Sequence, residues 1–143
     1  MTRVNLYLNF AGTTEEAFNF YRLAFGGEFS DLQRYKETPG MEDLPGEDQV
    51  KLMHVSLPLG ENLILHATDV LESRGQILVP GNNFNIMLET GSKEETDKLF
   101  KILSAGGKAE MMPQDMFWGA YYGSCTDKFG IQWMFNYTYP VQT

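Results

Sequence analysis

The chain has 143 residues, with 19 acidic against 11 basic side chains and a formal charge of −8. That length suits one domain able to bury roughly two thirds of the surface its unfolded chain would expose, and the acidic excess disfavours a nucleic-acid backbone as partner. The single cysteine, Cys125, rules out an internal disulfide, no apolar run approaches the about 20 residues of a membrane span, and no basic segment leads into an apolar run at the N-terminus, so a cytoplasmic setting is expected.

Residues 4–10 alternate apolar Val4, Leu6, Leu8 and Phe10 with Asn5, Tyr7 and Asn9, the period of a strand with two unlike faces. Thr13 to Glu16 offers a capping box, Ala17, Phe20, Tyr21 and Ala24 follow at helical spacing, and Gly26-Gly27 ends the helix without a Cβ clash. Strands follow near 28–35, 50–58 and 62–68, the last two joined by a tight turn at Leu59-Gly60-Glu61. Between them, 37–48 is rich in Glu, Asp, Pro and Gly and reads as a mobile solvated loop, either a plain connector or a lid. The first unit is therefore β-α-β-β-β over 1–68, and 69–82 is a connector.

The second unit, 83–143, reads the same way: strand 83–90, a helix from Ser92 to Ala105 with Ser92-x-x-Glu95 as its box, then strands near 108–112, 118–126 and 131–137. The two copies lie at an ungapped offset of 80, with Asn5 on Asn85, Phe20 on Phe100, Leu23 on Leu103 and Gly26 on Gly106. In the last strands the offset shortens to 70, Leu59-Gly60 falling on Phe129-Gly130 and Leu63 on Trp133. A tandem repeat of one half-buried unit predicts a single α+β domain over 1–143, two β-α-β-β-β modules forming a curved eight-stranded mixed sheet with the helices outside. Leu6, Leu8, Phe10, Leu63, Leu65, Trp133 and Phe135 should pack under the helices. Asn5, Tyr7, Ile64, His66, Asn85, Met87, Gln132 and Met134 should then line a concave side with a ligand cavity between the sheets.

The duplicated unit with Glu15, Glu16, Ala17, Phe20 and Tyr21 in its first helix resembles the vicinal oxygen chelate superfamily of glyoxalases, bleomycin-resistance proteins and extradiol dioxygenases. Tyr7 to Phe10, Gly26 to Glu28, Lys51 to His54, Phe117 to Gly119 and Asp127 to Trp133 are similar to its PhnB-like branch. That branch has also carried a demethylubiquinone methyltransferase label, but no Gly-rich loop for a methyl donor is present. In metal-dependent members, four His, Gln or Glu side chains converge on a divalent cation, and the resemblance places Asn5, Ile64, Asn85 and Met134 at those positions. Such a set offers no imidazole or carboxylate, so no metal or other cofactor is expected.

Other candidates carry competing readings. His66 is either a cavity-wall histidine or, with Glu89, part of a metal-dependent lyase, isomerase or dioxygenase site; His54, mid-strand, reads as a satisfied structural residue. Trp118 and Tyr122 complete the cavity list, and Met111, Met112, Met116 and Phe117 are either an adaptable pocket wall or core and dimer filler. Asp115 is a turn carboxylate or a base, and Cys125 has no nearby cation to make it a nucleophile. The function these readings support is binding of a small organic molecule without a metal, with catalysis undecided. A homodimer is expected to bury Met111 to Trp118 with Tyr137 and Tyr139.

Overall fold

The computed structural model describes residues 1–141, which fall into two compact units, one spanning Met1–Val79 and one beginning at Pro80. The first unit contains β1 (Leu6–Phe10), α1 (Thr14–Phe25), β2 (Asp31–Arg34), a short α2 (Gly46–Gln49), β3 (Leu52–Leu59) and β4 (Leu63–Asp69). Its strands are ordered β1-β4-β3-β2, with β1 parallel to β4 and the rest antiparallel. The second unit repeats the plan with β5 (Ile86–Glu89), α3 (Lys93–Ser104), β6 (Lys108–Met116), β7 (Ala120–Thr126) and β8 (Gln132–Thr138), ordered β5-β8-β7-β6. The chain is thus α+β, two β-α-β-β-β modules that contribute four strands each.

Alternation along the strands divides each sheet into a buried and an open face. Leu8, Phe10, Leu65 and Ala67 are buried in the first sheet, and Ile86, Trp133 and Phe135 in the second. Tyr7, Asn9, Met87 and Glu89, one step along from them, are exposed. The helices supply the other half of each core: Thr14, Ala17, Phe18 and Tyr21 of α1 are buried, as are Thr96, Leu99, Phe100 and Leu103 of α3. The helical counterpart of Phe100 is therefore Phe18 and not Phe20, and that of Leu103 is Tyr21 and not Leu23, which is 72% exposed.

A second slip occurs in the final hairpins. The ladders set Leu65 opposite Leu6 and Trp133 opposite Ile86, so Trp133 matches Leu65 and not Leu63. The two turns differ in build: Leu59 pairs with Leu63 across a tight loop in which Gly60 comes early, whereas Thr126 pairs with Gln132 across a wider loop in which Gly130 comes late. Both glycines have positive φ, 63° and 92°, but they do not occupy equivalent places, and aligning them displaces the strand by two residues.

The segment 37–48 is not simply a solvated loop. Tyr35, Leu44 and Leu71 form a small buried cluster with Met41 and Met53 against it, and the buried Asp48 carboxylate accepts from Lys51 Nζ at 2.8 Å and Ser73 Oγ at 2.5 Å. The start of α1 also departs from expectation. Thr13 makes no side-chain cap; instead Asp69, at the end of β4, accepts from Gly12 N, Thr14 N and Thr14 Oγ1, while its other oxygen accepts from Leu52 N. A carboxylate from a distant strand supplies what a local cap normally does, and it ties β1, α1, β3 and β4 at one point. In α3 the local cap is formed, Ser92 Oγ accepting from Glu95 N at 3.1 Å, while the Glu95 carboxylate accepts from Gly91 N at 3.4 Å and not from Ser92 N.

Candidate functional site

On the open face of the first sheet, His66 of β4 stands directly across from Tyr7 of β1 and from Ser56 of β3. His54, two residues before Ser56, is then the diagonal neighbour of His66. Their rings meet: His54 Nε2 lies 2.9 Å from His66 Nδ1, and Tyr7 is stacked beside His66 at 5.7 Å between centroids with 9° between planes. On the far side, His54 Nδ1 is 2.5 Å from Asp31 Oδ2 of β2. Four strands in spatial order thus contribute Tyr7, His66, His54 and Asp31 to one continuous row.

These partners admit a chain of donors and acceptors that runs toward Asp31. An ionised carboxylate only accepts, so Asp31 requires a proton on His54 Nδ1. With Nδ1–H on both rings, His54 Nε2 receives Nδ1–H of His66, and His66 keeps its own lone pair at Nε2. That nitrogen has no hydrogen-bond partner among the described residues. Desolvation, and then the neighbouring His54, push the His66 imidazole below the ordinary histidine pKa, which keeps it neutral near pH 7. Desolvation, and then Tyr35, raise the Tyr7 phenol above its ordinary value, so it remains a donor.

The same face continues into a cleft of about 430 Å³, floored by Asn9, Tyr35, Thr68 and Val70 and walled by Gln76, Ile77, Leu78 and Val79. Asn9 pairs with Thr68, two residues along from Tyr7 and His66, so cleft and ring row adjoin at about 7 Å along the strands. The wall is held by Gln76, whose Oε1 accepts from Leu71 N at 2.7 Å.

Other residues singled out by sequence fall in both units. Asn5 accepts from Ile64 N at 3.2 Å and pins the entry of β4; Gln132 donates to Phe84 O at 2.6 Å. Asn85 precedes β5 and is exposed. Met87 and Met134 pair across β5 and β8, and Trp118 and Tyr122 touch edge to face at 5.8 Å. Tyr121 turns the other way and donates to Asp97 of α3, which with burial raises its phenol to about 12. Asp115 lies in β6, not in a turn, and accepts from the Tyr139 hydroxyl. Cys125 is buried, and desolvation, then Asp127 and Glu110, push its thiol up to about 12, far from a nucleophile.

The donor set does not fit a catalytic divalent cation. Asn5, Ile64, Asn85 and Met134 bring amides, a hydrocarbon and a thioether, and no group of three or more His, Cys, Asp or Glu among the described residues is arranged to hold a metal ion. His54 and His66 use facing nitrogens on each other, and Asp31 occupies the remaining nitrogen of His54. No helix among the described residues is long and apolar enough to cross a membrane.

Comparison with known proteins agrees with this architecture. The model of the Glyoxalase/Bleomycin resistance protein/Dioxygenase superfamily matches residues 3–135. Protein YjdN of Escherichia coli strain K12 is 31% identical over 140 residues, covering 91% of each chain. The crystal structure of PA1353 from Pseudomonas aeruginosa has a TM-score of 0.84 at 30% identity, covering 96% of this chain and 98% of that one. The PhnB protein of Bacillus cereus shares the fold with a TM-score of 0.77 at 23% identity, covering 96% and 100%.

Proposed function

This chain belongs to the glyoxalase/bleomycin resistance protein/dioxygenase superfamily, and from that premise we propose that it binds a small organic molecule on the open face of its first sheet without a resident metal ion. One observation carries the reading. A continuous ring surface of Tyr7, His54 and His66, with Tyr7 53% exposed, adjoins a cleft bordered by Asn9 and Thr68. The rings offer stacking area and the cleft, whose exposed lining is mostly polar, offers hydrogen-bonding groups to orient a ligand. The exposed Met112 and Phe117 of the second unit favour association of two copies, with sedimentation at micromolar concentration as its check.

The test is a fragment screen by NMR on protein whose metal content has been measured. Binding fragments should perturb the ring signals of Tyr7, His54 and His66, and Tyr7→Ala should weaken them. Stoichiometric metal on three or more protein ligands, or fragments that bind only elsewhere, would overturn the reading.

A further inference from the structure

We propose that Asp31, His54 and His66 form a proton relay through which the first sheet captures planar ring compounds bearing an acidic O–H group, the ligand giving its proton to Nε2 of His66. This deepens the binding function proposed above and rests on it. With Nδ1–H on both rings the links run one way: Asp31 accepts from His54 Nδ1, His54 Nε2 accepts from His66 Nδ1, and His66 Nε2 is left as the acceptor.

The step balances without a co-reactant. The ligand O–H bond breaks, the electron pair stays on the ligand oxygen, and the proton bonds to His66 Nε2. The imidazolium passes its Nδ1 proton to Nε2 of His54, whose own Nδ1–H stays on the Asp31 carboxylate, so the positive charge comes to rest on the ring beside that carboxylate and His66 returns to neutral. His66 and His54 are the titratable groups of the pair; Tyr7 and Asp31 are those facing them from β1 and β2.

Two observations select the ligand class. The near-parallel rings of Tyr7 and His66, with His54 at 29° and 5.1 Å from His66, make a flat surface suited to stacking a planar ring. The chain carries a formal charge of −8 and places Asp31 in the row itself, so its field disfavours a preformed anion and favours an acid that arrives neutral and ionises in place.

The probes are 4-nitrophenol, whose ionised form is yellow, and 4-nitroanisole, which has the same ring and no O–H. At a pH one unit below the free dye's own ionisation, adding protein should develop the phenolate colour. The anisole should bind about tenfold more weakly or worse, the loss expected for one charge-assisted hydrogen bond. His66→Gln should abolish the colour. Asp31→Asn, which keeps an acceptor for His54 but removes the charge, should shift its appearance to higher pH, a change that a merely structural role for Asp31 would not produce. Equal, colourless binding of both dyes would overturn the relay and leave the small-molecule reading standing, while failure of both to perturb Tyr7, His54 and His66 would overturn both. Colour surviving in His66→Gln would also sink it. Nitrogen-15 NMR of the unliganded wild type needs no variant: both histidines should be Nδ1–H tautomers at neutral pH, and an Nε2–H on His66 would refute the proposal.

Discussion

The two units build the same ladder and put opposite chemistry on it. Tyr7 pairs with His66 where Met87 pairs with Met134; Ser56 stands across from His66 and Ser124 across from Met134; Asp31 faces Ser56 and Met111 faces Ser124. Counting back two residues from each serine sets His54 against Tyr122. The first face is therefore Asp31, His54, His66 and Tyr7, and the second is Met111, Tyr122, Met134 and Met87. One set is titratable and joined by hydrogen bonds, while the other is polarisable and shape-adaptable. Duplication has kept the register and let the side chains on the open face specialise, as befits a fold whose function resides in the groups it displays and not in its topology.

The units also differ in how a buried carboxylate staples them, and the largest expected effects lie there. Asp69 joins segments far apart in sequence through four hydrogen bonds, whereas Asp127 serves its own turn through Phe129 N and Ile131 N and reaches Trp133 Nε1. Removing either leaves buried donors unpaired. Asp69→Ala should cost about 3–4 kcal/mol and Asp127→Ala about 2–3 kcal/mol by urea unfolding. Hydrogen exchange should show the Gly12, Thr14 and Leu52 amides losing protection in the former. Equal losses confined to local amides in both variants would erase the distinction.

Next in size is the contrast between the helices. Leu103 is fully buried in α3, while Leu23, its partner under the sequence repeat, is exposed in α1. Leu103→Ala should cost about 3 kcal/mol and Leu23→Ala no more than about 0.5 kcal/mol. Comparable costs would restore the ungapped pairing of the helices. The same pair shows what sequence could convey. Strand alternation, helix positions and the duplicated order were legible because each rests on local periodicity. Which helical face is buried depends on how the helix lies across its sheet, and the final strand register depends on where in its turn a glycine sits. Tyr7 and His66 were within reach as members of one face. Asp31 and His54 were not, because their contact requires the β2–β3 ladder, which shifts register between Gln33 and Arg34, and the β3–β4 hairpin to be known together.

Smaller again is the difference at the helix starts. Ser92 caps α3, and Ser92→Ala should cost about 1 kcal/mol, whereas Thr13 makes no cap in α1 and Thr13→Ala should be close to neutral. Thermal unfolding of the two variants decides this, and a loss at Thr13 equal to that at Ser92 would mean that Asp69 does not replace the local cap.

The slightest effect expected is on the pH dependence of stability, and it separates the two faces directly. His66 is held below the ordinary histidine value of 6.5, first by desolvation and then by His54, so between its folded and unfolded pKa values the unfolded chain binds more protons. Stability contributed by neutral His66 is therefore complete above about pH 6.5 and is lost as pH falls through its lower folded pKa. The carboxylate of Glu15, held below 4.5 mainly by its hydrogen bond from Arg34, acts in the same direction but at lower pH, so the two windows are resolved. The second unit has methionine where the first has His66 and contributes no titration there. Thermal midpoints measured from pH 7.5 down to pH 5 should decline in the wild type and decline less steeply in His66→Gln, which keeps a polar side chain but cannot take up a proton. Parallel curves would show that the imidazole is free to charge on the open sheet face, and a steeper decline in the variant would mean that the row takes up a proton readily with no ligand anion beside it.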